Sequence, residues 1–376
     1  MFVALREVAR AKLRFGLLTG AVGLLVFLIL FQQALLGSLL GAFTGALESQ
    51  SAQLLVLDAE ARGQVDASFL DPDAVDVVAD LDGVAAAGPW RVRSTAARPA
   101  DGELLDVVVI GHDPDGPGQP TTVVDGRAVT GPGEAVVPVG YEDDGLAIGA
   151  QVELADGAGS VEVVGLAEDA EYLVAPALWV ASDTAEDAVL ARSPDAPFAP
   201  VNAVAVTLTD DADVAAVAAA IEDAVGGTRA LTPQEAVDGL PGVDAIGQSF
   251  GVILGLAFVV VGLVTGIFFL ILTVQKADAL TLLRAVGASA RDVVTPLVVQ
   301  VLLVTGGGVL VGLAGLTAVA AGGDVGLSVE VDPVSVAATS AGIVLLGLLA
   351  SLAAVRRVLR IEPFEATTRG NAGGAL

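Results

Sequence analysis

Four long stretches of the chain are mostly apolar and contain no charged residue. Each exceeds the roughly 20 residues that a helix needs to cross the hydrocarbon core of a bilayer. None shows the strict alternation of apolar and polar positions that marks a half-buried strand. A soluble protein would need a very large core to bury four such helices. The pattern therefore predicts four transmembrane helices, at 15–47, 245–275, 293–323 and 333–355.

The first stretch also has to be weighed as a cleaved signal peptide. The apolar region of a signal peptide spans only about 7 to 15 residues, and this stretch is about twice as long. We therefore expect a permanent anchor. The head that precedes it, 1–14, is amphipathic, with Arg6 and Arg10 four residues apart and Phe2 and Leu5 on an apolar side. We expect this head to lie along the inner membrane surface.

The segment between the first two apolar stretches, 48–244, has a different pattern. Short apolar runs separated by clusters of Gly, Pro and Asp predict strands. Two segments that place apolar residues on one helical face, 71–81 and 210–225, predict helices. Together they predict an α+β extracytoplasmic domain inserted between transmembrane helices 1 and 2. The predicted strands are 105–110, 135–139, 151–154, 160–166 and 177–180.

The segment 276–292, between the second and third apolar stretches, contains an apolar helical face. Leu280, Leu283 and Val286 would share that face. The Gly-Ala-Ser at 287–289 predicts the end of this helix and the start of the next one. A plain connector would not need to expose these residues and Leu282 to water. The pattern therefore predicts a short helix that docks onto a partner protein.

The distribution of basic residues predicts the orientation in the membrane. The head, the segment 276–292 and the tail 356–376 together hold eleven basic and five acidic residues, whereas 48–244 holds seven basic and thirty-seven acidic ones. Cytoplasmic segments carry the excess of Lys and Arg. We therefore expect both termini and 276–292 in the cytoplasm of a cell-membrane protein, and 48–244 and the short loop 324–332 outside.

The net charge of −27 is concentrated in the segment 48–244. Phosphate backbones need a cationic surface, so this charge argues against binding nucleic acid. Two explanations of the acidity stay open. It provides a well-solvated or salt-adapted surface, or it repels anionic and attracts cationic substrates.

The sequence lacks the motifs of several enzyme classes. Neither Lys12 nor Lys276 is followed by Ser or Thr as a P-loop requires. With no cysteine and one histidine, a zinc site is not identifiable. We interpret His112, which follows a predicted strand, as a surface turn residue rather than a metal ligand. The spans hold no ionisable residue, which disfavours an ion-coupled carrier. We expect no cofactor on this chain.

Glycines recur within the spans at the spacing Gly-x-x-x-Gly, which lets helices approach closely. Two roles stay open for them, namely dimerisation and packing within one subunit. The pairs are Gly251 with Gly255, Gly262 with Gly266, and Gly308 with Gly312.

Several of these segments resemble the FtsX/MacB-type ABC transporter permeases. QKADALTLLRAVGAS at 275–289 resembles the inner-loop signature of that family, and ALREVARAKLRFGLL at 4–18 resembles its amphipathic entry into the first helix. VRRVLRIEPFEA at 355–366 is similar to its closing pattern. DVVVIGHDPD, VVDGRAV, VEVVGLAED and YLVAPALWVAS are similar to its periplasmic core domain. We expect a permease-only member, of the DevC-like or hemin-exporter-like branch.

The resemblance implies a homodimer in membrane lipid that binds two separate ABC ATPase subunits, with ATP and Mg held by that partner. This chain would then be a transport subunit and not an enzyme. It would serve export or extraction of a hydrophobic or amphipathic substrate. The residues that the resemblance assigns to ATPase coupling are Lys276, Asp278, Leu282, Leu283, Arg284, Ala285, Gly287 and Ala288.

Two other functions stay open at this point. An FtsX-like signal relay would use ATPase motion to control an extracytoplasmic cell-wall enzyme without transport. A membrane-bound enzyme or adhesin would use the segment 48–244 alone and would need no ATPase.

Overall fold

The computed structural model describes residues 11–100, 102–193, 195–275, 290–321 and 333–359. The described chain forms two compact units. We call Leu39–Ile246 the sheet unit, and the described parts of Met1–Ser38 and Gly247–Leu376 the helix unit. The sheet unit takes in the last residues of the first long helix, although the sequence pattern places the start of the domain at 48.

The described elements alternate between long helices at the two ends of the chain and short strands in its middle. The helices are α1 (Lys12–Glu48), α2 (Asp73–Ala79), α3 (Ser182–Arg192), α4 (Val214–Ala224), α5 (Pro233–Asp238), α6 (Val243–Gln275), α7 (Ala290–Ala321) and α8 (Pro333–Leu359). The strands are β1 (Leu54–Asp58), β2 (Val84–Pro99), β3 (Leu105–His112), β4 (Val123–Gly126), β5 (Glu134–Pro138), β6 (Gln151–Leu154), β7 (Ser160–Ala167), β8 (Glu171–Tyr172), β9 (Ala175–Ala181), β10 (Ala203–Leu208) and β11 (Thr228–Leu231).

The helix unit consists of α1, α6, α7 and α8, and in the described chain each is long and apolar enough to cross a membrane. The helices meet through buried apolar side chains such as Val26, Phe269, Val301 and Ile343. Many other leucines and valines on these helices are exposed. An apolar exterior of this kind suits a helix bundle that is solvated by lipid. The prediction of four transmembrane helices is confirmed.

The strands of the described chain form one mixed sheet. Its order is β11-β1-β10-β2-β3-β9-β5-β7-β4, with β6 beside β2 and β7, and β8 beside β9. The long strand β2 joins two halves of this sheet, because its residues up to Trp90 pair with β10 and those from Arg91 onward pair with β3. Most neighbours are antiparallel, and β3–β9 and β5–β7 are parallel.

The strand β3 is buried on both of its faces. Val108 and Ile110 point into one hydrophobic cluster, whereas Val107 and Val109 point into another. Successive side chains of a strand point to opposite faces, so a strand between two cores loses the alternation of polar and apolar residues. This explains why β3 reads as a continuous apolar run.

The predicted α+β domain is confirmed. The five predicted strands are present as β3, β5, β6, β7 and β9, with bounds that differ by at most two residues from the prediction. The two predicted helices are present as α2 and α4. The carboxylate of Asp213 accepts hydrogen bonds from the amides of Ala215 and Ala216 and thereby fixes the start of α4. The remaining strands, α3 and α5 were not predicted.

Candidate functional site

The residues assigned to ATPase coupling lie outside the described part of the chain. They fall within 276–289, between the end of α6 and the start of α7. The predicted amphipathic head, the loop 324–332 and the tail from residue 360 onward lie outside it as well. Their roles remain predictions.

The pair Gly308 and Gly312 lies where α7 meets α1. A Cβ atom added at Gly308 would lie 2.6 Å from Cγ1 of Val22, and one added at Gly312 would lie 2.6 Å from Cγ1 of Val26. On the other side of the contact, a Cβ added at Gly23 would lie 2.7 Å from Cγ1 of Val311. Only glycine, whose side chain is a single hydrogen atom, allows the two helices to approach this closely. These glycines therefore serve packing within one subunit.

The other two glycine pairs both lie on α6 but differ in their surroundings. A Cβ added at Gly262 would lie 2.5 Å from Cδ2 of Leu346 on α8, and one added at Gly266 would lie 3.4 Å from the Cβ of Ala350. At Gly251 and Gly255 an added Cβ would meet no atom within 4 Å in the described chain. The Gly251–Gly255 surface is thus open in the single subunit.

Neutral polar side chains cross-connect the helix unit. The amide nitrogen of Gln33 donates to Oγ1 of Thr339 at 2.9 Å, and that hydroxyl lies 3.0 Å from the Gln33 amide oxygen, to which it can donate. The neighbouring Gln32 donates to the carbonyl of Phe250 at 3.2 Å. Interhelical hydrogen bonds of this kind hold membrane helices together. The sequence analysis missed them, although two adjacent glutamines inside an apolar span were the available signal.

The sheet unit contains an ion pair between β2 and α3 in which the arginine is buried and the glutamate side chain is 43% exposed. Arg91 is 5% exposed, and its guanidinium donates to Ser182 Oγ at 2.5 Å and to Glu186 Oε2 at 3.0 Å. Burial lowers the pKa of Arg91, while the charges of Glu186 and Asp113 oppose that shift. Burial likewise raises the pKa of Asp113, against the effect of Arg91. The pairing offsets the cost of burying the cation.

The interpretation of His112 as a surface residue is wrong. The histidine is the last residue of β3 and is 1% exposed. It shares its face of the strand with Ile110, its Nδ1 lies 3.0 Å from the carbonyl oxygen of Asp113, and its ring lies 6.0 Å from that of Trp179. Burial lowers the pKa of His112. The strand extends two residues further than predicted, and this carries the histidine into the core.

The surroundings of His112 do not form a metal site. Among the described residues, no group of three or more His, Cys, Asp and Glu side chains is placed to hold a metal ion. The aromatic neighbour Trp179 lies in turn 6.1 Å from Trp90 between ring centroids. The histidine is therefore part of a packed aromatic core.

Two protein families match the chain in succession. Residues 16–224 match the family of the MacB-like periplasmic core domain, and residues 251–363 match the FtsX-like permease C-terminal family. The first match alone covers more than half of the chain, and the second includes the segment 276–289. The sheet unit is thus an extracytoplasmic domain of a membrane protein.

Individual relatives are distant. Over 142 residues the chain is 22% identical to the "Putative hemin transport system permease protein HrtB" of Staphylococcus haemolyticus (strain JCSC1435), an alignment that covers 38% of this chain and 40% of that protein.

Two solved structures are also similar. The periplasmic region of MacB from Actinobacillus actinomycetemcomitans is 11% identical, with a TM-score of 0.38. The superposition covers 50% of this chain and 92% of the MacB chain. The extracellular domain of the noncanonic ABC-type transporter YknZ from Gram-positive bacteria is 17% identical, with a TM-score of 0.35, and covers 48% and 99%. Both TM-scores are too low to establish a shared fold by themselves. The two family matches and the four apolar helices agree with each other along the chain, which therefore belongs to the FtsX/MacB family of ABC-type permeases.

Proposed function

We propose that this chain is the permease subunit of an ABC transporter that couples ATP hydrolysis by a separate ATPase to export or extraction of a hydrophobic or amphipathic substrate. The observation that carries the proposal is the succession of the two family matches over residues 16–224 and 251–363. The transmembrane segments hold no ionisable group that could bind a coupling ion. Energy would therefore enter from the cytoplasmic partner, which would hold ATP and Mg.

The segment 276–289 would form the contact with that ATPase. It lies between two helices that are long enough to cross the membrane, so it emerges on one side of the bilayer. The positive-inside distribution of Lys and Arg favours the cytoplasmic side for this segment and for both termini. Leu283 and Arg284 would be central to the contact, because one is apolar and the other cationic within a segment that otherwise only needs to turn.

The assembly would be a homodimer, and the open glycine pair favours one surface for it. Gly262, Gly266, Gly308 and Gly312 are used inside the subunit, whereas Gly251 and Gly255 are open. A second copy of α6 could approach closely along this surface. Because the chain has no native cysteine, Gly251→Cys in the full transporter tests this directly, and spontaneous cross-linking to a dimer supports the surface. Ile267→Cys, an exposed position more than four helical turns further along α6, serves as the comparison.

The composition of the helix unit supports the proposed substrate class. Apolar helices joined by neutral glutamine and threonine side chains favour a ligand that is itself largely apolar. The name of the staphylococcal relative refers to hemin transport, so hemin is the first ligand to test. The panel should include hemin, a cationic amphiphile and a lipid-linked peptide.

The test is ATPase stimulation in proteoliposomes. The full chain is co-purified with candidate ABC ATPases and the rate of ATP hydrolysis is measured with each ligand. The proposal expects a stable complex and a rate that rises with at least one apolar or amphipathic ligand. A detergent-solubilised chain that binds no ABC ATPase would refute the proposal, and a complex that responds to an extracytoplasmic hydrolase but to no ligand would favour the signal relay.

A further inference from the structure

A turn in the sheet unit adopts a backbone conformation that its residues disfavour. Strands β8 and β9 form a hairpin in which Tyr172 pairs with Ala175, so Leu173 and Val174 form a two-residue turn. Both have positive φ angles, 51° and 66°. Such turns normally use Asn and Gly, and a β-branched residue at positive φ is a marked outlier. The local sequence therefore does not stabilise this turn.

The end of α1 supplies what the sequence of the turn lacks. The amide of Val174 donates to the carbonyl of Ala42 at 2.8 Å, and the amide of Leu173 donates to the carbonyl of Phe43 at 3.2 Å. Both carbonyls belong to the part of α1 that lies in the sheet unit. The turn thus depends on the helix for its conformation, and strained backbone that is held by a neighbour is typical of elements that switch.

A second contact fixes the other end of the same loop. Asp169 also has a positive φ, 49°, and its carbonyl oxygen accepts a hydrogen bond from Ser49 Oγ at 2.9 Å. A Cβ added at Gly45 would lie 2.8 Å from this carbonyl oxygen. Only glycine at position 45 lets the loop lie this close to the helix. We call 169–175, with its contacts to α1, the helix clamp.

A cleft lies beside the turn. Leu173 and Ala175 line a cleft of about 470 Å³ together with Ser94, Asp106 and Arg192, and Val174 is exposed. Leu173 and Ala175 also pack against the buried cluster that contains Trp179, whereas the exposed Val174 side chain can move at little energetic cost. The turn therefore has space into which it can move when its contacts with the helix are lost.

The helix clamp leads directly into the centre of the sheet. Strand β9 starts at Ala175, immediately after the turn, and pairs with both β3 and β5. We propose that the helix clamp is the coupling element of this protein, seated on α1 in one state of the transport cycle and released in another, so that displacement of α1 is passed to β9. This inference rests on the proposed function, because it assumes that the ATPase cycle moves α1.

The experiment compares two glycines that lie one helical turn apart. Gly45→Ala places a methyl group against the carbonyl of Asp169, whereas Gly41→Ala meets no atom within 4 Å and removes the same helix-weakening glycine. Amide hydrogen exchange of the peptide 170–176 is measured in the full transporter in nanodiscs, together with basal and ligand-stimulated ATPase rates. Ser49→Ala, which removes only one hydrogen bond, is a milder variant should Gly45→Ala fold poorly.

We expect exchange in the peptide 170–176 to rise at least tenfold in Gly45→Ala, less in Ser49→Ala and not at all in Gly41→Ala. The ligand-stimulated part of the ATPase rate should fall in the same order while the basal rate is unchanged. If hydrogen exchange of the peptide 170–176 is unchanged in Gly45→Ala, the turn does not depend on its contact with α1. If exchange is fast but ligands still stimulate the ATPase fully, only the coupling role is overturned. If the wild-type chain binds no ABC ATPase, the proposed function is refuted, and the coupling role is refuted with it. The hydrogen-exchange rate of the peptide 170–176 would still show whether the turn is held against α1.

Discussion

The helix unit and the sheet unit are held together by different interactions. In the helix unit, glycines allow close helix contacts and neutral side chains such as Gln33 and Thr339 form the interhelical hydrogen bonds. In the sheet unit, large aromatic side chains such as Trp90 and Trp179 are fully buried, and the buried Arg91 pairs with the partly exposed Glu186. Both units bury apolar side chains, but they do so in different solvents.

The difference follows from the solvent of each unit. Water drives apolar side chains together, so the sheet unit gains stability from every large side chain that it buries. Lipid tails are as apolar as leucine, so a membrane helix gains little by exchanging lipid for another apolar surface. Shape and hydrogen bonding then decide helix packing. The two units should respond in opposite ways to the same type of substitution.

The largest effect is expected at the segment 276–289, which belongs to neither set of described contacts. Leu283→Asp combined with Arg284→Glu should abolish binding of the ATPase and leave membrane insertion intact, because both changes invert the chemistry of the proposed contact. Co-purification and ATPase stimulation in proteoliposomes measure this. Thr281→Glu adds an acidic residue to the same segment away from the apolar face and is the control. Full stimulation in the double variant would refute the coupling role.

The next largest effect is expected in the core of the sheet unit. Trp179→Ala should lower the free energy of unfolding of that unit by about 3 to 5 kcal/mol, because it removes a fully buried aromatic side chain and leaves a cavity. Urea unfolding of the full chain in detergent, followed by the fluorescence of Trp90, measures the change. Phe198→Ala, at an aromatic residue that is 45% exposed, is the matched control and should shift unfolding by less than about 1 kcal/mol.

Overpacking should have its effect in the helix unit. Gly312→Leu should cost about 1 to 3 kcal/mol, because α1 already lies against this position and must be displaced. Gly255→Leu has space within the subunit and should leave the thermal stability of the monomer unchanged, while it shifts the monomer–dimer equilibrium. Thermal denaturation and size-exclusion chromatography in detergent separate the two results. Equal loss of monomer stability in both variants would show that Gly255 also packs within the subunit.

The sequence predicted the helix unit more completely than the sheet unit, and the solvent again explains this. A span in lipid must be apolar over its whole length, so α1, α6, α7 and α8 were visible from the absence of charge alone. The strand β2 was missed because its sixteen residues include Gly88, Pro89 and two arginines, and only its pairing with β10 and β3 makes it one strand.

Contacts between distant residues were beyond the reach of the sequence pattern. The end of β3 was placed too early, so His112 was assigned to the surface instead of the core. The packing of Gly262, Gly266, Gly308 and Gly312 within one subunit could be recognised only after the helices were placed beside one another. The helix clamp was not predicted at all, because leucine and valine, the residues at 173 and 174, are not residue types that signal a two-residue turn.

A smaller effect is expected from the glutamine pair. Gln33→Leu removes the hydrogen bonds to Thr339, which should cost about 0.6 kcal/mol, the average found for interhelical hydrogen bonds in membranes. A double-mutant cycle with Thr339→Val isolates this term. Gln248→Leu, at an exposed glutamine of α6, is the control. A coupling energy of zero would mean that the hydrogen bonds between Gln33 and Thr339 do not help to hold α1 against α8.

The smallest effect is a pH dependence of the sheet unit that comes from His112. Burial lowers the pKa of this histidine below 6.5, so the unfolded chain binds a proton at a higher pH than the folded one. The contribution of the uncharged His112 to the stability of the sheet unit is therefore fully present above about pH 6.5. It is lost as the pH falls toward the pKa that the histidine has in the folded protein. The neighbouring Asp113 acts in the opposite direction at lower pH, because its raised pKa favours proton binding by the folded state.

His112→Gln isolates this contribution, because His112 is the chain's one histidine. Urea unfolding of the full chain in detergent between pH 7.5 and pH 5 should show a stability that falls with pH in the wild type and falls less steeply in His112→Gln. The transmembrane parts of the four helices should show no corresponding change, since no ionisable side chain lies within residues 15–38, 247–275, 293–321 or 333–355. An identical pH slope in both proteins would show that the histidine is protonated as easily in the folded core as in water, and the contrast between a water-solvated and a lipid-solvated unit would then not extend to protons.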